Sequence, residues 1–318
     1  MAAPADGPGF NLSGLTQYVD ETSFELISKA VLGTNLASYV DVRAGLKGNS
    51  VAIPLLEDTF TVQDGNTCGW DANNTASISQ VDMCIYHPKV QHEFCPQALR
   101  DTFMAKSLAA GQFGSSENLP MEAVFANYFV EKLQNYNEKY IISGETNCDG
   151  IQAPFAASGV SGSAFDINWV AASGTGNAVD GAQALYEALP GEASMADDLI
   201  LIVSVGDYKT LALAVTQGNY YHIAPDMGNL FIPGTNVRVV ASAGIAEQTG
   251  AGAVGKNTRI LTRASNIILG TDLTGDFEQF KLWYSEDNDQ VRATMKWAIG
   301  MAVVQPELGV IANKSATN

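Results

Sequence analysis

Two strand-like runs, residues 50–62 and 76–87, flank the polar string Gln63-Asp-Gly-Asn-Thr-Cys-Gly-Trp-Asp-Ala-Asn-Asn-Thr75. Asp, Asn and Gly tolerate the backbone of tight turns, so the string reads as the tip of one long β-hairpin. Two strands alone are marginal in water. Val51, Ile53, Val81, Met83 and Ile85 therefore need a surface to lie on, supplied either by the parent domain or by another chain. Trp70 sharpens the point. A large apolar side chain in a polar tip has little local core to join, so it either packs within the tip or anchors to a neighbour.

The rest of the chain alternates helical and strand patterns. Phe24, Ile27 and Val31 recur at helical spacing over residues 21–32, with Gly33 as a stop. Pro96 can open a helix whose stripe is Leu99, Phe103, Met104 and Leu108, ending near Gly111. A longer helix follows: Asn118 caps, Pro120 sits in the first turn, and Val124, Phe125, Tyr128, Phe129, Leu133 and Tyr136 form its stripe. Lys139 and Gly144 close it. From about 150 the texture turns to small residues and Gly. The patterns then predict a helix over 180–189 stopped by Pro190, a buried strand over 199–203, a helix over 208–217 capped by Asp207, and strands over 237–241 and 260–269. At the end, Phe280, Leu282 and Tyr284 precede an acidic turn at 285–289. Val291, Ala293, Met295, Trp297, Ile299, Met301 and Val303 then hold strict period two, the mark of a hairpin with one buried face.

Composition narrows the function classes. Of 318 residues, 46% are hydrophobic and only 16% charged, which argues for a real core rather than disorder. Asp and Glu number 34 against 17 Lys and Arg, a net charge of −17, and no basic run offers a grip on phosphate. The first residues lack the basic and apolar regions of a signal peptide, and no apolar run approaches the roughly 20 residues that span a bilayer. Cys68, Cys84, Cys95 and Cys148 form no CxxC pair, so reduced thiols are the expectation.

Several strings imitate catalytic motifs. Gly250-Ala-Gly-Ala-Val-Gly-Lys256 matches GxGxxG, but no convincing strand precedes it and no helix starts in it, so a flexible loop is the better reading than a nucleotide site. His87, His92 and Cys95 lie close together without the paired spacing of a zinc site. Residues 286–289 lack the remainder of a calcium loop. No cofactor, metal or catalytic residue is expected, and the chain reads as a non-enzyme.

The ordered set of arm, long hairpin, long helix, compact α/β region and closing hairpin resembles the Hong Kong 97 capsid fold of tailed-bacteriophage major capsid proteins. The wording of two segments is similar as well. Asn266-Ile-Ile-Leu-Gly-Thr-Asp272 with Phe277-Glu-Gln-Phe-Lys-Leu-Trp-Tyr-Ser-Glu-Asp-Asn-Asp289 looks like the family's passage from A domain to P-domain strands. Ile232-Pro-Gly-Thr-Asn-Val-Arg-Val-Val240 looks like its short A-domain strand.

The resemblance implies an α+β chain divided into an N-arm (1–38), an E-loop hairpin (39–94), a P domain with a spine helix (95–150), an A domain (151–272) and return strands (273–318). It implies a self-assembling subunit of an icosahedral head shell that encloses double-stranded DNA without sequence-specific binding. Its partners would be its own copies in hexamers and pentamers, with scaffolding, portal and decoration proteins as further candidates and no membrane. Synthesis would be in the host cytoplasm and the final location the virion. Some relatives cross-link a hairpin Lys to a neighbour's Asn; Lys47 lies near the hairpin base, and nothing in the sequence indicates that chemistry. Trp70, Val51, Ile53, Val81, Met83, Ile85 and Phe24 are the candidate assembly contacts. An encapsulin-like compartment, an enzyme using the Gly250 loop and a secreted β-rich adhesin are the competing readings.

Overall fold

The computed structural model describes residues 34–46, 50–58, 62, 64, 76–94, 121–145, 148–158, 165–166, 176–217, 230–246, 258–272, 279–285, 287 and 290–313. The expected helices at 21–32 and 96–111, the Gly250–Lys256 loop, Phe24, Lys47, Trp70 and Cys95 lie outside them.

In chain order, a 3-10 turn (Leu36–Ser38) leads into β1 (Asp41–Ala44), β2 (Ser50–Asp58), β3 (Ala76–Tyr86) and β4 (Lys89–Phe94). The long helix α1 (Met121–Ser143) follows, then β5 (Gly144–Glu145), β6 (Cys148–Asp149), α2 (Gln152–Ser158) and β7 (Phe165–Asp166). Next come α3 (Gly176–Glu187), α4 (Gly191–Ser194), β8 (Leu199–Ser204), α5 (Val205–Gln217), β9 (Arg238–Ser242), α6 (Ala243–Ala246) and β10 (Arg259–Arg263). The chain closes with β11 (Ile267–Thr271), β12 (Gln279–Ser285), β13 (Gln290–Lys296), β14 (Ile299–Val303) and β15 (Val310–Asn313).

Three sheets carry the architecture, in the orders β1-β11-β14-β3-β2, β7-β15-β10-β8-β9 and β12-β13-β4. The second is covered on both faces. Ile200 and Ile202 of β8 point into one core with α1, while Leu199, Leu201 and Val203 join a second core with α3 and α5. Burial on both faces explains why this strand is continuously apolar. Its parallel pairing with β9 returns through α5.

The long helix runs about 34 Å at 1.5 Å per residue. Its buried stripe is Val130, Leu133, Asn137, Tyr140 and Ile141, whereas Tyr128, expected in the stripe, is 53% exposed. Gly144 ends the helix in the left-handed region at φ +73°, where a Cβ would collide with the backbone of Gly150 and Cys148. Near that end Glu138 is buried, and its carboxylate accepts from the Asn35 amide at 2.8 Å and the Ala243 amide at 2.9 Å. One side chain thus fixes the N-terminal segment and the start of α6 to the long helix. Gly244 lets α6 approach closely enough for this, since a Cβ there would meet the Glu138 backbone.

Four sequence expectations are corrected. The run at 260–269 is two strands in two sheets: the chain turns through a 3-10 segment at Ala264–Asn266, and the Asn266 side chain donates to the Gln305 carbonyl at 2.7 Å and accepts the Gln305 amide. The run at 291–303 is likewise split at Trp297 and Ala298, with β13 in the three-stranded sheet and β14 in a five-stranded one. Asp207 does not cap α5. It lies inside the first turn, its amide donating to the Ser204 hydroxyl at 3.1 Å, and its carboxylate pairs with buried Arg259 at 3.0 Å. Cys84 and Cys148 are a disulfide across a sequence separation of 64 rather than free thiols.

A second ion pair staples β8 to the end of β10. The Arg263 Nε donates to Asp198 at 2.9 Å, and the Ser265 hydroxyl donates to the same carboxylate at 2.6 Å. Burial pushes the Asp198 carboxyl up, but the Ser265 hydroxyl and the Arg263 guanidinium outweigh it and hold the group below its ordinary value. A carboxylate depressed in the folded state stabilises the fold above its unfolded pKa of about 4, and that contribution is lost as pH falls through the lower folded value. In acid titrations followed by circular dichroism, wild type should lose stability below about pH 4 through this group. Asp198→Asn should lack that component while being less stable at neutral pH; parallel acid curves for the two would refute the assignment.

Candidate assembly surface

Among the described residues, the hairpin of β2 and β3 is anchored at its base. β3 pairs with β14 through Cys84, Ile85 and Tyr86, while from Ala76 to Met83 its sole strand partner among the described residues is β2. At about 3.3 Å per residue those positions extend roughly 26 Å from the anchored end. Pro54 sits in β2, the sheet edge, where a residue without an amide proton is tolerated.

The chain itself supplies the surface that the base of the hairpin requires. Ile53, Met83 and Ile85 are 4%, 0% and 5% exposed, and Ile53 and Met83 join Ile268 and Ala302 in a small core with Val51, Val81, Leu46 and Val304 beside it. Ile53, Met83 and Ile85 are thus filled positions of their own subunit, a correction to their reading as contacts with a neighbour. Val51 and Val81 are half-buried at the edge of that core. The exposed apolar side chains lie further out: Ile78 is 78% exposed and Val62 80%. The sequence held a signal for Ile78. It falls out of phase with Val81, Met83 and Ile85 and so occupies the opposite face of the strand.

That opposite face meets the end of the long helix. Tyr86 stacks on Tyr140 with ring centroids 5.3 Å apart, and Cys84 is bonded to Cys148 just beyond the helix. The Tyr136 hydroxyl donates to Glu145 at 3.1 Å. Burial, with Tyr86 and Glu145 adding to it, pushes the Tyr136 and Tyr140 phenols far up, so both stay protonated.

The three-stranded sheet has two unlike faces. Ala293 and Met295 are buried in the core that contains Val130 and Leu133 of the long helix. On the other face the register aligns Lys89 with Lys296, Gln91 with Thr294 and Glu93 with Arg292, and continues to Lys281 and Trp283 on β12. Four cations and one carboxylate thus share one face of a chain whose net charge is −17. Trp283 is 41% exposed beside a depression of about 360 Å³ that Gln91, Glu93, Arg292 and Thr294 also line. Cationic and aromatic residues together suit contact with an acidic surface.

Among the described residues, no group of three or more His, Cys, Asp and Glu has a metal-holding arrangement, and no helix is long and apolar enough to cross a membrane.

No family model matches the chain, and no curated protein sequence matches it. Solved structures do. A structure from Gordonia phage Cozz matches with a TM-score of 0.62 at 11% identity, over 89% of this chain and 87% of that one. The capsid of an empty GTA particle matches with a TM-score of 0.56 at 13% identity, over 91% of each chain. A satellite phage P4 procapsid that includes the size determination (Sid) protein matches with a TM-score of 0.53 at 10% identity, over 94% and 97%. Coverage of most of each chain in both directions means that the mixed α+β fold is shared with those structures. In particular it is the Hong Kong 97-type fold of phage capsid proteins.

Proposed function

We propose that this chain is the major capsid protein of a tailed bacteriophage, whose copies close into an icosahedral shell around double-stranded DNA. The observation that carries the reading is a two-stranded hairpin extending from a fold used by shell subunits, with Ile78 and Val62 in water. An isolated chain gains nothing from that exposure, whereas a neighbour covering it recovers roughly 25 cal/mol for each Å² of apolar area removed from water.

In this reading the hairpin is the E-loop and α1 the spine helix. The long helix and the three-stranded sheet form the P domain, and the sheet that packs one face on α3 and α5 is the A domain. Residues 1–38 form the N-arm, and its Phe24, with Trp70 at the hairpin tip, joins Ile78 and Val62 as a contact to neighbouring copies. Half-buried Val51 and Val81 extend that contact toward the hairpin base. Such contacts are heterologous, the kind that generates rings and shells when the rotation between copies closes. The excess of carboxylates keeps packaged DNA from adhering to the wall.

Electron microscopy of the purified full chain should find closed particles, rings or sheets, with nuclease-protected DNA in particles isolated from infected cells. A strict monomer at all concentrations and salt conditions would overturn the proposal, and shells filled with protein instead of DNA would redirect it to an encapsulin-like compartment. Ile78→Glu should leave subunit stability within about 0.5 kcal/mol, as for other exposed positions, yet abolish or strongly slow assembly. Particles forming normally from that variant would remove the hairpin from the contact.

A further inference from the structure

The disulfide occupies a particular place in the lever formed by the hairpin. Cys84 is the last residue of β3, counting outward, that still pairs with β14, and it is also the partner of Ser50, the first residue of β2. It therefore sits at the fulcrum, where a five-stranded sheet gives way to two strands. Cys148 lies in β6, immediately beyond the end of the long helix. Their Cα atoms are 5.6 Å apart, within the range a disulfide spans, and Cys148 is only 5% exposed. Beside the disulfide Tyr86 stacks on Tyr140, and Cys84 and Tyr86 pack against the main core.

We infer that Cys84 and Cys148 form a redox latch that sets how freely the hairpin swings against the long helix. In a reducing compartment the pair is two thiols, and the fulcrum has no covalent tie to the helix end; it is held by pairing with β14 at Cys84, Ile85 and Tyr86, by the small core around Ile53 and Met83, and by the stack of Tyr86 on Tyr140. In oxidising solution a small-molecule disulfide closes the latch. One thiolate attacks it and releases one equivalent of small thiol. The second thiolate then attacks the mixed disulfide and releases another, so that two protein thiols are oxidised as one disulfide is reduced to two thiols. The bond fixes the fulcrum covalently to the helix end. Under the shell reading proposed above, the open latch lets the hairpin re-aim while copies join, and the closed latch holds the finished arrangement.

The latch can be tested on the unassembled full chain, so its failure is separable from failure of the shell reading. Hydrogen exchange in residues 50–58 and 76–86 should be at least tenfold faster with reductant, or in Cys84→Ser, than in the oxidised chain. Exchange elsewhere, for example in β8, should be unchanged. Equal rates in the two redox states would overturn the proposal, as would alkylation and mass spectrometry finding both cysteines free in the chain incubated with a small-molecule disulfide. Should Cys84→Ser fold poorly, Cys148→Ala and the wild-type chain with and without reductant provide the same comparison.

Discussion

Asp207→Ala should lower the folding stability of the isolated subunit by about 3–5 kcal/mol, the range for removing one partner of a buried ion pair. The Arg259 side chain is fully buried at the start of β10, and Asp207, in the first turn of α5, is 3.0 Å away. Burial pulls the pKa of the guanidinium down, and the Asp207 charge opposes that pull. Deleting the carboxylate leaves a cation in a low-dielectric interior with its compensating charge gone. The paired replacement Asp207→Leu with Arg259→Met should recover most of the loss, because apolar side chains of similar volume avoid the desolvation penalty of both charges. Urea denaturation of the three chains, read as midpoints at a constant slope, measures this. A loss below about 1 kcal/mol for Asp207→Ala would mean that water or another group reaches the guanidinium.

The sequence revealed this fold where the physics is periodic and local. The long helix was legible from its stripe and from Gly144 as its stop, and β8 from an uninterrupted apolar run that only a two-sided sheet layer requires. The hairpin was legible because its turn residues are chemically distinctive. What stayed hidden depends on partners distant in sequence. Asp207 looks like a cap because Asp commonly caps helices, and only the fold brings Arg259 to it. The Cys84–Cys148 bond has no spacing signature, since a separation of 64 residues is closed by topology alone. The expected contacts Ile53, Met83 and Ile85 were rightly read as needing cover, but a sequence does not say who provides it. Here β11 and β14 cover Ile53 and Met83 through Ile268 and Ala302, and Ile85 lies against Gly300 of β14. Of the contact proposed above, the hairpin was named from the sequence, while the exposure of Ile78 required attention to strand phase.

The period-two run from Val291 to Val303 is the clearest case of a correct pattern with an incomplete meaning. Ala293, Met295, Trp297, Ile299, Met301 and Val303 are all buried in one core, as the alternation demands. Yet the strand breaks at Trp297 and passes from one sheet to another. The alternation persists because β13 and β14 both contribute to the core in which the long helix lies, so the pattern records a shared core rather than a single strand.

Trp297 holds that crossing in place, and Trp297→Ala should cost about 3–5 kcal/mol, the range for emptying a buried aromatic site. The side chain is 2% exposed, its indole Nε1 donates to the Asn137 side chain at 3.0 Å, and its ring meets Tyr136 edge to face at 6.1 Å. Its own amide donates to the Pro88 carbonyl at 3.4 Å, so the same residue also ties the connection between β3 and β4. Removing it should therefore loosen two sheets at once, with faster hydrogen exchange in both β13 and β14. Trp297→Phe separates the contributions. It keeps most of the apolar burial and the edge-to-face contact but gives up the indole hydrogen bond, so about 1–2 kcal/mol should be lost. If alanine costs no more than phenylalanine, the site collapses around the smaller side chain, and the crossing is held instead by the pairing of β14 with β11. If the two differ by about 2 kcal/mol or more, the indole is the post on which both sheets hang, and the long helix is rigid against them because of it.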